Sequence, residues 1–150
     1  MNIPFFKYQA NGNDFILIEL QSLKGQKLDS DHIKKLCDRG VGIGSDGLFI
    51  ISPSRKYDFF IDYFNSDGSW ETFCANGSRC VVQFVYTYIK NNSSLSFETG
   101  AGVHYANIKS PGFVKMSMVK PKYKIKSLLV EGIEGAYIDS GARHFVCESN

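Results

Sequence analysis

Short apolar runs separated by polar, glycine-containing breaks recur along most of the chain, a pattern typical of a protein built from short β-strands. In chain order, the runs that predict strands are residues 3–8, 15–20, 47–51, 57–64, 95–98, 103–108, 136–138 and 145–147. A further strand is expected after the turn at residues 109–112, and a new set of strands is expected beyond Pro121, where lysines alternate with apolar residues. The break at Asn11-Gly12 is the clearest turn signal, because this dipeptide favours the positive φ angles of a tight hairpin turn. We therefore expect the first two runs to form a β-hairpin.

Two segments predict helices instead. Residues 29–38 are typical of an amphipathic helix with Asp29 or Ser30 as its N-cap. The segment from Gly77 to Lys90 is apolar on nearly every side, which predicts a helix buried all round, with Asn76 as its N-cap. The expected fold class is α+β, with a curved and mostly antiparallel sheet wrapped around this buried central helix.

Composition and charge limit the classes of function. A hydrophobic content of 43% can supply a core, and a formal net charge of +2 gives no indication of nucleic-acid binding. No apolar run is long enough to span a membrane, and residues 1–4 show none of the features of a signal peptide. The four cysteines lack metal-site spacing. We therefore expect reduced thiols in a cytoplasmic protein that binds no metal.

The stretch from Asn65 to Arg79 carries the main chemical signal, because Cys74 lies there at the junction between a turn-rich segment and the apolar helix. Unpaired N–H groups of residues 75–78 and the helix dipole would lower the pKa of the thiol and favour the thiolate. The same N–H groups can hold a substrate carboxylate or a developing oxyanion. We expect Cys74 to act as a thiolate that abstracts a proton from the substrate. The alternative is that Cys74 is a buried structural cysteine, which is how we interpret Cys37 and Cys80.

Residues 42–47 fit the G-x-G-x-x-G fingerprint of dinucleotide-binding proteins but not its context. That fingerprint follows a strand and opens a helix, whereas here a predicted helix precedes it and a predicted strand follows. We interpret the segment as a glycine-rich entry to a strand that passes close to another backbone or to a ligand.

The sequence around Cys74 resembles the signature of the diaminopimelate epimerase family. The signature Asn-x-Asp-Gly-Ser-x-x-x-x-Cys-Gly-Asn-Gly-x-Arg is matched from Asn65 to Arg79 at every defined position except one, where Ala75 replaces a glycine. Further segments of resemblance are residues 6–15, 36–48 and 99–102, and a weaker likeness at residues 140–146 is similar to the start of the family's second lobe.

The resemblance implies one lobe of a two-lobed, diaminopimelate epimerase-like fold. Members of the family convert L,L- to meso-diaminopimelate for lysine and peptidoglycan biosynthesis without a cofactor or a metal. One cysteine thiolate removes the α-proton, and a second cysteine returns a proton to the opposite face. Cys74 matches the first catalytic cysteine, and Asn13, Asn65, Ala75 and Asn76 match positions that hold the amino acid substrate.

Several positions depart from the family pattern. A positive φ at Ala75 would carry a steric cost, or its methyl group would crowd the ligand, and Trp70 would alter the rim of the site. Ala142-Arg143 replaces Asn-Pro at a substrate contact, and no second Cys-Gly-Thr-Gly motif occurs. We therefore expect residues 1–120 to form the amino-terminal lobe and residues 121–150 to begin an incomplete second lobe.

This division predicts that the chain is a fragment, a truncated product or half of a split enzyme, and that it is inactive alone. The family resemblance also allows a homodimer.

Three other interpretations stay open. A related isomerase, such as a proline racemase-like or phenazine-biosynthesis-like protein, would share the lobe shape. A cysteine hydrolase would need a base near Cys74, with His32, His104 and His144 as candidates. A non-catalytic binding lobe would pair with a separate second-lobe chain.

Overall fold

Strands dominate the computed structural model, which describes residues 3–148. The strands and helices are β1 Phe6–Ala10, β2 Asn13–Glu19, a short 3₁₀ helix Leu20–Leu23, α1 Ser30–Cys37, β3 Gly47–Ser52, β4 Phe59–Asn65, β5 Trp70–Glu71, α2 Ala75–Tyr88, β6 Ser94–Thr99, β7 Gly102–Ser110, β8 Phe113–Met116, β9 Lys122–Val130, β10 Ile133–Asp139 and β11 Arg143–Val146. No helix within residues 3–148 has the length and apolar character needed to cross a membrane.

An eight-stranded sheet curls around α2. Its strand order is β1-β2-β3-β4-β6-β7-β8, and β5 pairs with β4 beside this path. The pairs β2–β3 and β4–β6 are parallel, and the other pairs of this sheet in the described part of the chain are antiparallel. The predicted α+β class, with a mostly antiparallel sheet wrapped around a central helix, is therefore confirmed.

Local signals placed two of the elements correctly. Asn11 and Gly12 have φ angles of 54° and 85°, and they join β1 to β2 as the tight turn of an antiparallel hairpin. At the start of α1, the Asp29 carboxylate accepts a hydrogen bond of 2.9 Å from the backbone N–H of His32. Asp29 rather than Ser30 is therefore the cap of this helix.

The core lies between α2 and the concave face of the sheet. Buried residues of α2 include Val81, Val82, Phe84 and Val85, which pack against aromatic residues of the strands. At Gly77 the helix approaches the sheet very closely, since an added Cβ would lie 2.1 Å from the Phe49 ring. A second apolar cluster packs α1 against the outer face of β2 and β3.

The prediction that α2 is buried all round is wrong for one side of the helix. Asn76, Arg79, Gln83 and Tyr86 are only partly buried. Arg79 and Gln83 lie at the gap between β1 and β8, which do not pair with each other in the described residues. The sheet thus covers most of α2 but leaves one stripe in contact with solvent.

The glycine-rich entry to β3 passes very close to neighbouring backbone, as interpreted from its sequence. A Cβ at Gly42 would lie 2.0 Å from the carbonyl oxygen of Lys35, and one at Gly47 would lie 2.7 Å from that of Phe64. These glycines are required because larger residues would collide with main-chain atoms that cannot move aside.

Residues 122–146 form a separate three-stranded sheet with the order β11-β10-β9. The sequence patterns gave bounds for short strands at β10 and β11 and indicated strand structure beyond Pro121, but they set no bounds for β9, whose alternating lysine and apolar residues are exposed on both faces over most of its length. Burial of one face is what makes alternation informative, and β9 has almost none.

Candidate active site

Cys74 lies where the extended chain after β5 turns into α2. Its φ and ψ angles of −136° and 113° are extended, and it is the N-cap residue of the helix. The predicted N-cap, Asn76, is instead the second residue of α2, so that prediction is wrong by two positions. The side chain of Asn76 is used differently: it donates to Asn13 Oδ1 at 2.8 Å and accepts from Asn11 Nδ2 at 3.0 Å.

A cleft of about 330 Å³ opens in front of the Cys74 thiol. It brings together most of the predicted site residues, because Asn65, Ala75 and Asn76 line it together with Cys74. Asn13 is not part of the lining but bonds directly to Asn76. Among residues 3–148, the lining consists of Tyr63, Asn65, Glu71, Phe73, Cys74, Ala75, Asn76, Met118, Ser140, Ala142 and His144.

A charged network fixes the Asn13 amide. Asn13 Nδ2 donates to Asp46 Oδ2 at 3.0 Å, while its Oδ1 accepts from Asn76. Arg39 joins Asp46 to Asp14 with contacts of 2.9 and 2.6 Å, and its hydrogen bonds hold the pKa of Asp14 well below the usual range. The network gives Asn13 one defined orientation, and Asn13 in turn orients Asn76.

Tyr63 and Asn65 form a second fixed pair beside the cysteine. The Tyr63 hydroxyl donates to Asn65 Oδ1 at 2.8 Å, and Asn65 Nδ2 donates to Ser69 Oγ at 3.1 Å. Burial and then the neighbouring Cys74 raise the pKa of Tyr63, so the phenol stays a neutral hydrogen-bond donor at neutral pH. Asn65 therefore both organises the turn to Ser69 and faces the cleft.

The predicted lowering of the Cys74 pKa is wrong. Burial raises the pKa of the thiol, and the opposing effects of the Gly77 and Asn76 N–H groups and of the Tyr63 hydroxyl do not outweigh it. The thiol makes no capping hydrogen bond of normal geometry to the helix. Desolvation penalises the thiolate more than the helix terminus stabilises it. The neutral thiol consequently needs a base to remove its proton.

His144 is the only histidine of the described residues that lines the cleft, and sequence reasoning gave it no role beyond that of a candidate hydrolase base. His32 instead contacts Asp29 at 2.6 Å at the start of α1. His104 is fully buried and stacks on Phe73. The weak likeness of residues 140–146 to the opening of a second lobe was the signal that could have placed His144 in the cleft.

The departures from the family signature have mild local effects. Ala75 begins α2 with ordinary helical geometry rather than a positive φ, so the expected backbone strain is absent there. Trp70 does not line the cleft; it packs over Gly100 and donates to Asp62 Oδ1 at 2.9 Å. Ala142 does line the cleft, whereas Arg143 is exposed on β11.

Within residues 3–148, no group of three or more His, Cys, Asp or Glu residues is arranged to hold a metal ion.

The fold is shared with proteins of known structure. It is similar to the crystal structure of a hydroxyproline epimerase from Agrobacterium vitis, with a TM-score of 0.71 at 12% sequence identity. That match covers 96% of this chain and 51% of the other. At this level of identity the likeness establishes the lobe shape alone.

Sequence similarity is closer to proteins named diaminopimelate epimerase. The chain is 46% identical over 120 residues to that of Elusimicrobium minutum, which covers 80% of this chain and 43% of the relative. It is 37% identical over 149 residues to that of Campylobacter jejuni subsp. doylei, which covers 98% of this chain and 58% of the relative. The chain thus spans about half the length of these relatives. The diaminopimelate epimerase family model matches residues 5–124, and the chain belongs to this family.

Proposed function

We propose that this chain is the amino-terminal lobe of a diaminopimelate epimerase, which interconverts L,L- and meso-diaminopimelate with Cys74 as one of two proton-transferring residues. The observation that carries the proposal is the position of Cys74, at the N-terminus of α2 and in a cleft lined by Asn65 and Asn76. Family membership supplies the substrate class.

The cleft suits the amino acid end of the substrate. The N–H groups in the first turn of α2 have no partners within the helix, so they can bind an α-carboxylate next to the positive end of the helix dipole. The amides of Asn65 and Asn76 offer donors and acceptors for the ammonium and carboxylate groups. Asn13 supports this end indirectly, through its hydrogen bond to Asn76. Ala75 contributes its N–H group and a methyl group on the cleft wall.

Proton transfer requires a path from the neutral thiol. We assign His144 as the base that takes the Cys74 proton, because it is the histidine of the described residues that shares the cleft. The thiolate then takes the Cα proton of the substrate and becomes a thiol again. The carbanion left behind is stabilised where its charge spreads into the carboxylate held by the α2 N–H groups. A second cysteine on the opposite face returns a proton and completes the inversion.

Residues 121–150 begin the lobe that would supply this second cysteine. The separate sheet formed by β9, β10 and β11 supports this division at about residue 120. Its apolar side chains are largely exposed, with Tyr123 63% and Leu129 70% accessible, which is expected of a sheet that packs against further structure. The remaining wall of the site would come from that lobe, in the same polypeptide or in a separate chain, and the assembly can further form a homodimer.

Substrate protection of Cys74 tests the binding role in the chain as it exists. We expect diaminopimelate to slow the labelling of Cys74 by iodoacetamide, because the ligand covers the sulfur. Peptide-resolved mass spectrometry measures the labelling rate. The control ligand is 1,5-diaminopentane, which has the same amines but no carboxylates and should not protect. Equal labelling with and without diaminopimelate would contradict the proposed site.

Deuterium incorporation tests the reaction. In deuterated water, we expect no epimerisation by this chain alone and α-deuteration when a second lobe from a full-length relative is added. Cys74→Ser should abolish that exchange. If the chain alone epimerised L,L-diaminopimelate at an ordinary enzyme rate, the assignment of the second cysteine to another lobe would be wrong.

A further inference from the structure

The wall of the cleft formed by residues 140–144 is held to the main sheet by one short polar contact. The Thr72 hydroxyl donates to the carbonyl oxygen of Gly141 at 2.6 Å, across 69 positions of sequence. Thr72 lies two residues before Cys74, and Gly141 directly precedes Ala142, which lines the cleft. This hydrogen bond therefore links the segment that carries the thiol to the opposite wall.

The single proton of the Thr72 hydroxyl has two nearby acceptors. Glu71 Oε1 lies 3.1 Å from the hydroxyl oxygen, but it already accepts the backbone N–H of Thr72 at 2.7 Å. The Gly141 carbonyl oxygen is 0.5 Å closer, at 2.6 Å. Geometry thus favours Gly141 as the acceptor.

Gly141 also sits in a tight apolar socket. Its φ angle is +95°, and an added Cβ would lie 3.2 Å from Phe73 and 3.3 Å from both Ala101 and Val119. The socket is itself braced, because His104 stacks on Phe73 with ring centroids 4.5 Å apart. The backbone of Thr72 adds a further tie, since its carbonyl accepts the Ala101 N–H at 3.2 Å. Gly141, in the bend between β10 and β11, is buried here, although most of the sheet that these strands form is exposed.

We propose that Thr72 is a positioning residue, whose hydrogen bond to Gly141 seats that glycine in its socket and thereby holds Ala142 and His144 against Cys74. This role rests on the proposed function, in which His144 takes the proton of the thiol. Without the bond, the buried Gly141 carbonyl would lack its hydrogen-bond partner. The cleft wall formed by residues 140–144 would then no longer be held in one position. Thr72 touches neither the substrate nor the reacting atoms in this scheme.

Hydrogen–deuterium exchange of the intact chain tests the positional part. Thr72→Val keeps the shape of the side chain but removes the hydroxyl, whereas Thr72→Ser keeps the hydroxyl. We expect the amides of residues 140–146 to exchange about fivefold faster or more in Thr72→Val, and at the parent rate in Thr72→Ser. Unchanged exchange in Thr72→Val would overturn the proposal.

Alkylation of Cys74 tests the chemical part through a double-mutant comparison. In the parent chain and in Thr72→Ser, we expect His144→Asn to slow the labelling of Cys74 by iodoacetamide. The pH profile of the labelling rate should also shift to higher pH. In Thr72→Val, His144→Asn should change little, because His144 has already lost its position. An equal effect of His144→Asn in all three backgrounds would overturn the positioning role. If His144→Asn had no effect in any of them, the base assignment would fail instead, and the exchange rates alone would decide the role of Thr72.

Discussion

The two sheets of this molecule both carry many apolar side chains, but they differ in what they pack against. In the sheet around α2, the rings of Phe15, Phe49 and Phe97 are at most 1% exposed. In the three-stranded sheet, Tyr123 and Leu129 are more than half exposed. The difference teaches that apolar residues in a strand specify a core only when a helix or a second sheet covers one face. It also locates the stability of the chain in its first 120 residues.

The largest effect we expect comes from a matched pair of truncations, one in each sheet. Phe97→Ala should lower the free energy of unfolding by about 3–5 kcal/mol, because it removes a fully buried ring that stacks on Phe59. Leu129→Ala, at a position that is 70% exposed, should change it by less than about 0.5 kcal/mol. Urea unfolding of both variants measures the contrast. Similar losses would mean that the three-stranded sheet has a core of its own.

A smaller effect is expected from added volume at the contact between α2 and the sheet. Alanine favours the helix, but the new methyl group of Gly77→Ala would overlap the buried Phe49 ring. We expect a net loss of about 1–3 kcal/mol in unfolding free energy. The control is Gly40→Ala, whose methyl group would meet a single side-chain atom, Asp38 Oδ1, at 3.2 Å, and Phe49→Leu should partly rescue Gly77→Ala. No loss in Gly77→Ala would show that the helix does not depend on this close approach.

The smallest effect we expect is a pH dependence of the free energy of unfolding, and it again arises in the core around α2. Burial lowers the pKa of His104, and its neighbours Phe73, Phe97, Thr99 and Ser117 carry no charge. The unfolded chain therefore binds the proton more readily than the folded chain does. Stability should be full at pH 7.5 and fall as the pH drops through about 6.5 towards 5.

His104→Gln removes the titrating group and should flatten this part of the stability curve, measured by urea unfolding at pH 5, 6 and 7.5. A slope in the variant equal to that of the parent chain would assign the pH dependence to other groups. Carboxylates with lowered pKa values, such as Asp14, act mainly below pH 4 and so fall outside this window.

Features set by neighbouring residues could be predicted from the sequence. The Asn11-Gly12 turn depends on local φ preferences, and the Asp29 cap depends on one side chain and the next turn of backbone. The helix start at Ala75 was missed because Asn76 is a better cap than Cys74 by residue type, and only its hydrogen bond to Asn13 shows why its side chain is used elsewhere.

The site was predictable as a group of residues but not as an electrostatic environment. Cys74, Asn65, Ala75 and Asn76 do share one cleft. The direction of the Cys74 pKa shift was not predictable, because it depends on how deeply the folded chain buries the sulfur. The roles proposed for His144 and Thr72 depend on contacts between distant segments, which no local pattern encodes.

The parallel pairing of β4 with β6 has a consequence for the order in which the protein can form during synthesis. These strands flank α2 in sequence, and their Phe59 and Phe97 rings stack 5.0 Å apart. A ribosome therefore releases the apolar helix before β6, β7 and β8 exist to enclose it. Until residue 116 has emerged, the nascent chain exposes a hydrophobic surface on α2. Folding intermediates of this kind are bound by chaperones.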